Sequence, residues 1–236
     1  MKRIQWIWLA MAACLCLAAP ARSQMRMDFF KKPNITDIFK PVVGAGSVYE
    51  TQKTDPANAS KQPMEMTVVG KEAVDGKDAY WLEFGRLDDR SGAMLYAKML
   101  VTRDDFQFHR MVVQRPGQPA MEMPIRPNDA QKRQQEELDK WHSVGTESIT
   151  VPAGTFSCQH WKKDQGVGDV WVTDKVSPFG MIKYVSSGET MTLTKVISDA
   201  KDHITGPVQQ FDPQALRQQM MERMQQQQQQ QQAPKP

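Results

Sequence analysis

Methionine is the residue type whose spacing most suggests chemistry in this chain of 236 residues, which contains sixteen of them. Several are spaced as Met-x-Met, namely Met25 and Met27, Met64 and Met66, and Met121 and Met123. Alternate residues of a strand point to the same face, so each such pair presents two soft thioethers of the kind that Cu(I) prefers. The pairs lie in separate segments with no histidine beside them, and methionine also fills irregular apolar interiors. A Cu(I)-binding protein and an adaptable apolar lining are therefore both open.

Cys158 and His160 are a second candidate pair, because they stand two apart on a predicted strand and face the same side. A zinc site needs at least three protein ligands, and a nucleophilic cysteine needs a base and an oxyanion pocket. The other three histidines show no ligand spacing. We therefore interpret both as ordinary strand residues, with Cys158 buried, and predict no metal and no cofactor.

Paired carboxylates occur at Asp88-Asp89 and Asp104-Asp105, each at a predicted hairpin end. Adjacent acids are typical turn formers, whereas acid–base catalysis uses two carboxylates held in different environments. The sequence also shows no nucleophile with a positioned base. We predict that the protein is not an enzyme.

Period-two patterning predicts the strands that position these residues. Lys61 to Lys71 alternates, with Met64, Met66 and Val68 on one face. Asp75-Gly76 supplies a tight turn, and Ala79 to Leu87 returns with Tyr80, Leu82 and Phe84 on one face. These two segments predict a hairpin.

A second hairpin is predicted from 93–102 and 106–115, with its turn at 103–105. Leu95, Ala97, Met99 and Val101 are expected to share one face, and Phe106, Phe108, Arg110 and Val112 to share one face of the return strand. A short strand over 120–125 would complete the meander.

The remaining text predicts further strands over 146–151, 155–163, 168–173, 180–185 and 189–198, and one short helix over 127–140. Sequential antiparallel strands with a single helix predict a mainly β fold, a curved antiparallel sheet or half-open barrel with one short covering helix. The Gln-rich segment after residue 207 is predicted to form a weak helix followed by a disordered region.

Residues 1–23 are typical of a secretory signal, with Lys2 and Arg3 before an apolar run from Ile4 to Ala19 and small residues after it. The predicted organisation is a signal peptide over 1–23, an N-terminal extension over 24–46, an antiparallel β domain over 47–198 and a Gln-rich tail over 199–236. The mature chain would be exported, to the periplasm or medium, with no stable transmembrane segment. Lipidation at Cys14 is an open alternative.

Cleavage would remove three basic residues and leave 27 basic against 27 acidic ones, a formally neutral chain. This balance argues against nucleic acid as a partner, because phosphate binding needs a concentrated basic surface. Cys158 would then be the only cysteine, so no disulfide could form within the mature chain.

Two segments carry a family resemblance. Val151-Pro-Ala-Gly-Thr-Phe-Ser-Cys-Gln-His-Trp and the later Gly168-Asp-Val-Trp-Val resemble a signature of exported bacterial proteins of unassigned function. Together with the hairpin from Gly70 to Phe84, they are similar to domains related to the LolA/LolB lipoprotein-carrier group, over residues 47–198. The resemblance implies a half-open antiparallel barrel whose concave face, closed by a helix, holds an acyl chain.

The first functional hypothesis is an exported, non-enzymatic protein that holds a lipid, acyl chain or other apolar small molecule in the concave face of its sheet. The residues predicted to bind it are Met64, Met66, Leu82, Phe84, Leu95, Met99 and Phe108. The alternatives are an envelope structural or interaction protein, whose sheet edge or Gln-rich tail meets a protein partner, and the Met-rich Cu(I)-binding protein.

Overall fold

A computed structural model of the chain describes residues 34–55, 61–88, 91–125, 136–137, 139–212 and 221. The described part contains a short helix, α1, and a twelve-stranded sheet that does not close, so the predicted mainly β fold is confirmed. The elements are α1 (Ile35–Ile38), β1 (Gly46–Lys53), β2 (Lys61–Val74), β3 (Lys77–Leu87), β4 (Met94–Thr102), β5 (Phe108–Gln114), β6 (Ala120–Met123), β7 (Trp141–Val151), β8 (Gly154–Lys163), β9 (Gly168–Val172), β10 (Met181–Ser186), β11 (Glu189–Ile197) and β12 (Val208–Gln210).

The sheet consists of two antiparallel meanders joined through β1. Its strand order is β12-β6-β5-β4-β3-β2-β1-β11-β10-β9-β8-β7, so β1 pairs with β2 on one side and with β11 on the other. The exception to antiparallel pairing is β12, which lies parallel to β6. Short connections join the consecutive strands from β1 to β6 and from β7 to β11, whereas β1 and β11 are neighbours that lie far apart in the chain.

The half of the sheet that contains β7 to β11 is strongly curled. The rings of Trp141 on β7 and Tyr184 on β10 lie 6.3 Å apart between centroids, although two strands separate β7 from β10. Three strand spacings of a flat sheet would span about 14 Å. The same curl lets Tyr49 of β1 and Cys158 of β8 share one buried cluster.

The first predicted hairpin is confirmed, including its turn. Lys77 pairs with Val74, and the two residues between them, Asp75 and Gly76, have φ angles of 50° and 77°. Positive φ at both central residues is the geometry of a type I′ turn, which matches the twist of the flanking strands.

The return strand of the second hairpin departs from the prediction that Phe106, Phe108, Arg110 and Val112 share one face. Phe108 pairs with Val101 and Arg110 pairs with Leu100, so one extra residue, His109, lies between them as a β-bulge. The bulge reverses the side-chain alternation. Phe106 and Phe108 therefore pack on one face, and Arg110 and Val112 lie on the other.

Two flanking segments cover the two faces of the β2–β6 meander. We call the face on which Phe39 packs the inner face; it carries Val68, Leu82 and Val101. The opposite, outer face carries Val112 and Ala120, against which Ile204 packs. The folded unit thus includes residues on both sides of the predicted 47–198 domain.

The predicted helix over 127–140 lies mostly outside the described residues, as do the predicted signal peptide and the tail beyond residue 212, apart from Met221. Among the described residues, no helix is long and apolar enough to cross a membrane.

Candidate functional site

The inner face of β2–β6 is apolar because strand register aligns apolar residues in rows across neighbouring strands. Directly opposite residues in antiparallel strands point to the same face. One row contains Met66, Phe84, Ala97, Val113 and Met121, and the next contains Val68, Leu82, Met99, Met111 and Met123. The sheet therefore presents two continuous apolar rows from β2 to β6.

Burial divides these rows into a packed part and a partly open part. Val68 and Leu82 are fully buried near the middle of the sheet, under Phe39. Towards β6 the side chains become partly exposed, and Met111, Met121 and Met123 belong to none of the buried clusters. The open part of the inner face thus lies on β4, β5 and β6.

The seven residues predicted to bind an apolar ligand all lie in the β2–β5 part of the fold, but their burial differs. Met66 and Leu82 are buried, with 8% and 0% of their surfaces exposed, inside two different packed clusters. The partly exposed members are Met64, Phe84, Leu95, Met99 and Phe108. Ligand contact by these five needs no repacking of the core, and their binding role stays a prediction.

An aromatic plug, which the sequence analysis missed, fills the middle of the inner face. Phe39 is fully buried, and its ring lies 5.1 Å from that of Phe106, 5.4 Å from that of Phe179 and 6.4 Å from that of Tyr80. Burial of the apolar aromatic surface and edge-to-face ring contacts both stabilise this arrangement. Rings from one strand and two loops thus surround Phe39.

Hydrogen bonds anchor the segment that carries Phe39. The Lys40 amide donates to the carbonyl of Pro178 at 2.7 Å, and the Val42 amide donates to Ser177 Oγ at 3.2 Å. Ser47 Oγ in turn donates to the Ser177 carbonyl at 2.7 Å. Residues 177–179, between β9 and β10, therefore hold the N-terminal segment against the sheet.

A pocket of about 290 Å³ lies beside this segment, and none of the seven predicted residues lines it. Its walls carry hydroxyl, amide, carboxylate and ammonium groups beside apolar side chains. The lining residues are Asp37, Ile38, Lys40, Thr146, Ser157, Gln159, Val172, Thr173, Asp174 and Phe179. Its polar walls differ from the apolar, sparsely polar lining typical of lipid sites.

On the outer face, a buried carboxylate pairs with a histidine 120 positions away. Glu83 has 1% of its surface exposed, and its Oε1 lies 2.6 Å from His203 Nδ1 while its Oε2 accepts the His203 amide at 3.1 Å. The His203 ring stacks on Tyr96 at 4.2 Å between centroids. Desolvation raises the pKa of the Glu83 carboxyl, although its hydrogen bonds to His203 oppose that rise.

A second ion pair holds the same turn of chain. Lys98 Nζ lies 2.5 Å from Asp202 Oδ2 and donates to the Ile204 carbonyl at 2.8 Å. Glu83 and Lys98 are directly opposite on β3 and β4, so the two ion pairs stand side by side. The pattern is that of a clamp on residues 202–204.

Cys158 and His160 do not form a pair. Cys158 is fully buried with its Sγ 3.6 Å from the Phe156 carbonyl, and burial raises the pKa of its thiol, as expected for an inert cysteine. His160 instead lies between two carboxylates, with Nδ1 2.9 Å from Glu147 and Nε2 2.8 Å from Asp169. In the described part of the chain, no group of three or more His, Cys, Asp and Glu side chains could hold a metal ion.

The acidic pair at the second hairpin has a structural partner. Asp105 accepts from Lys77 Nζ at 2.5 Å and from Thr102 Oγ1. These hydrogen bonds, with Lys77 first, lower the pKa of the Asp105 carboxyl. The contacts tie the β4–β5 turn to the β2–β3 hairpin, as expected of a turn-forming acid.

Solved structures of low similarity to this chain include two from Parabacteroides and Bacteroides. A candidate lipoprotein from Parabacteroides distasonis ATCC 8503 has a TM-score of 0.36 at 14% identity, and the alignment covers 67% of this chain and 97% of that one. A candidate exported protein with a YmcC-like fold from Bacteroides fragilis NCTC 9343 has a TM-score of 0.36 at 11% identity, with the same coverage. No family model and no curated protein matches the chain.

Proposed function

We propose that the protein is exported and holds an apolar small molecule or acyl chain, without catalysis, against the open part of its inner sheet face. The observation that carries the proposal is the pair of apolar rows that run from buried residues under Phe39 to partly exposed ones on β4–β6. Large continuous apolar surfaces on a protein typically mark ligand, partner or membrane sites. The resemblance to the lipoprotein-carrier group belongs to the same proposal.

Export rests on the N-terminal sequence, where two basic residues, an apolar run and small residues follow one another as in a secretory signal. The absence of catalysis is likewise a proposal. The geometry in its favour is that Glu83 and His203 are engaged with each other and with a structural turn, and Cys158 is buried.

A dye-binding experiment tests the proposed apolar site. Val113 is partly exposed on β5, directly opposite Ala97 and Met121. A Val113→Glu substitution would place a carboxylate among the apolar rows, and we expect at least a tenfold loss of affinity, about 1.4 kcal/mol, for the apolar dye N-phenyl-1-naphthylamine. Leu95→Glu, near the start of β4, is a second variant on the same face.

The matched control is Val196→Glu on β11, where the native valine is 44% exposed and lies away from the β4–β6 rows. It should bind the dye as the native protein does.

Native mass spectrometry of protein gently purified from a secreting host measures the mass of the processed chain and of any retained lipid in one experiment. Native protein that binds no dye and carries no ligand, or equal dye binding by folded Val113→Glu and Leu95→Glu proteins, would overturn the proposal.

A further inference from the structure

The structure brings together methionines that the sequence leaves in three separate segments. Met99 on β4 pairs directly with Met111 on β5, and Met111 pairs directly with Met123 on β6. All three point to the inner face. We call Met99, Met111 and Met123 the methionine row.

A fourth thioether lies next to this row. Met121 is two residues before Met123 on β6 and pairs with Val113, so it points to the same face and is diagonal to Met111. The Met-x-Met spacing of β6 therefore joins a cross-strand set and does not stand alone.

Strand geometry allows the sulfurs to converge. Directly opposite residues have Cβ atoms about 5 Å apart, so Met99 and Met123 are about 10 Å apart with Met111 between them. Methionine is unbranched with three rotatable bonds, so the outer two side chains can lean towards the central one. Three thioethers can then reach one ion.

The surroundings suit a soft, singly charged ion. The methionine row is partly exposed, so an ion can reach it from solvent. On β3, the cross-strand neighbour of Met99 is Leu82. The cross-strand neighbours of these residues on the inner face supply no carboxylate or imidazole. Thioether ligands alone select Cu(I) over Zn²⁺ and other harder ions.

We propose that Met99, Met111 and Met123, with Met121 in reach as a fourth ligand, form a Cu(I) site on the inner face. The site uses thioether sulfur alone and involves no change of oxidation state. It is independent of the proposed apolar ligand, because copper binding requires sulfur and apolar binding requires only an apolar surface.

The test is an anaerobic Cu(I) titration of the chain from residue 24 onward, in competition with bicinchoninate and with ascorbate as reductant. The row variant carries Met99→Leu, Met111→Leu and Met123→Leu. Methionine-to-leucine exchange nearly conserves volume and typically costs under about 1.5 kcal/mol, so the apolar face and the fold are retained. Urea unfolding verifies the fold.

The matched control carries Met64→Leu, Met94→Leu and Met191→Leu. Met64 and Met191 lie on β2 and β11, and Met94 lies on the outer face beside Tyr96, so these three cannot converge. The control removes the same number of thioethers from partly buried strand positions.

We expect the row variant to lose one bound Cu(I) in native mass spectra, or to bind it roughly 10- to 100-fold more weakly, the range that even outer-shell losses produce at metal sites. The control should keep the native affinity. X-ray absorption of the native complex should show three or four sulfur neighbours. The Cu(I) affinity and the sulfur neighbours are read without any dye, so this proposal and the proposed function can fail separately.

Equal Cu(I) affinity in the native and row-variant proteins would overturn the site, as would equal losses in the row variant and the control. A native protein that does not compete with bicinchoninate would overturn it as well. A copper environment made of nitrogen ligands alone would also contradict the proposed thioether site.

Discussion

At the scale of single residues, Glu83 gives the clearest prediction of pH dependence. Burial raises the pKa of its carboxyl, so just above the ordinary glutamate range the folded protein holds a proton that the unfolded chain has lost. Because the folded state then binds more protons, its stability falls as pH rises through that range. Glu83→Gln removes this dependence, so its unfolding free energy relative to the native protein should increase with pH in urea titrations.

Asp105→Asn is the control, because the pH dependence of its stability effect should be opposite to that of Glu83→Gln. Lys77 and Thr102 lower the pKa of Asp105, so the stability it contributes is present above the ordinary aspartate range and is lost as pH falls through the lowered folded value. The loss of stability in this variant should therefore shrink towards acid pH. The stability of each variant relative to the native protein should thus change with pH in opposite directions. If both changed in the same direction, the assignment to Glu83 burial would be wrong.

Contacts between single residues that are distant in the chain are the features least predictable from the sequence. Alternation along the strand places Glu83 on the face away from Leu82 and Phe84. Nothing in the local pattern shows that a residue 120 positions away supplies its partner. The Met-x-Met spacing likewise does not show which methionines on other strands lie beside each pair. Register between strands, which a single sequence does not contain, decides that Met99, Met111 and Met123 stand side by side.

At the scale of elements, strands and turns follow from period-two patterning and turn chemistry because both are local. The predicted hairpin turn at Asp75-Gly76 occurs where expected, and the strands predicted over 180–185 and 189–198 are β10 and β11. The bulge at His109 was not predicted, since an extra residue leaves no mark on composition and only reverses the alternation after it. The covering role of residues 34–45 was also missed, because the apolar residues of this short segment, Phe39 among them, lack the period-two alternation of a strand.

Phe39 carries the prediction that belongs to this scale. Its ring is fully buried between Tyr80, Phe106 and Phe179, so Phe39→Ala would leave a cavity at the centre of the inner face. We expect a loss of about 3–5 kcal/mol in the free energy of unfolding, measured in urea. Limited proteolysis should also show faster cleavage within residues 34–45.

Val43→Ala is the matched control for Phe39→Ala. Val43 belongs to the same segment but is 51% exposed, so its truncation should change stability by no more than about 0.5 kcal/mol. Equal small effects of both substitutions would contradict the anchoring role of the aromatic plug.

At the scale of the whole molecule, the folded unit is longer than the strand pattern indicates, because both faces of the β2–β6 meander are covered by chain from outside residues 47–198. Phe39 covers the inner face, Ile204 covers the outer one, and β12 continues the sheet beyond β6. A sheet with two apolar faces needs such covers, and both lie outside the alternating strand pattern. Among the described residues, the β4–β6 end of the inner face is partly open, and both proposed sites lie there.

The outer cover gives the prediction at this scale, made with two truncations. A chain that ends after Asp212 retains Asp202, His203, Ile204 and β12, and it should unfold at the same urea concentration as the full chain. A chain that ends after Lys201 leaves the Glu83 carboxylate and the Lys98 ammonium without these partners and uncovers Val112 and Ala120. It should lose about 3 kcal/mol or more, the cost of breaking a buried pair.

The position of the cut therefore decides what a truncation reports about the Gln-rich tail. Loss of an envelope partner after the Asp212 truncation would assign that partner to the tail, because the clamp and β12 are intact. The same loss after the Lys201 truncation would reflect a damaged sheet. Equal unfolding midpoints for the two truncated chains would show that residues 202–210 do not stabilise the fold, and the Glu83–His203 clamp would then be a surface contact of little energetic consequence.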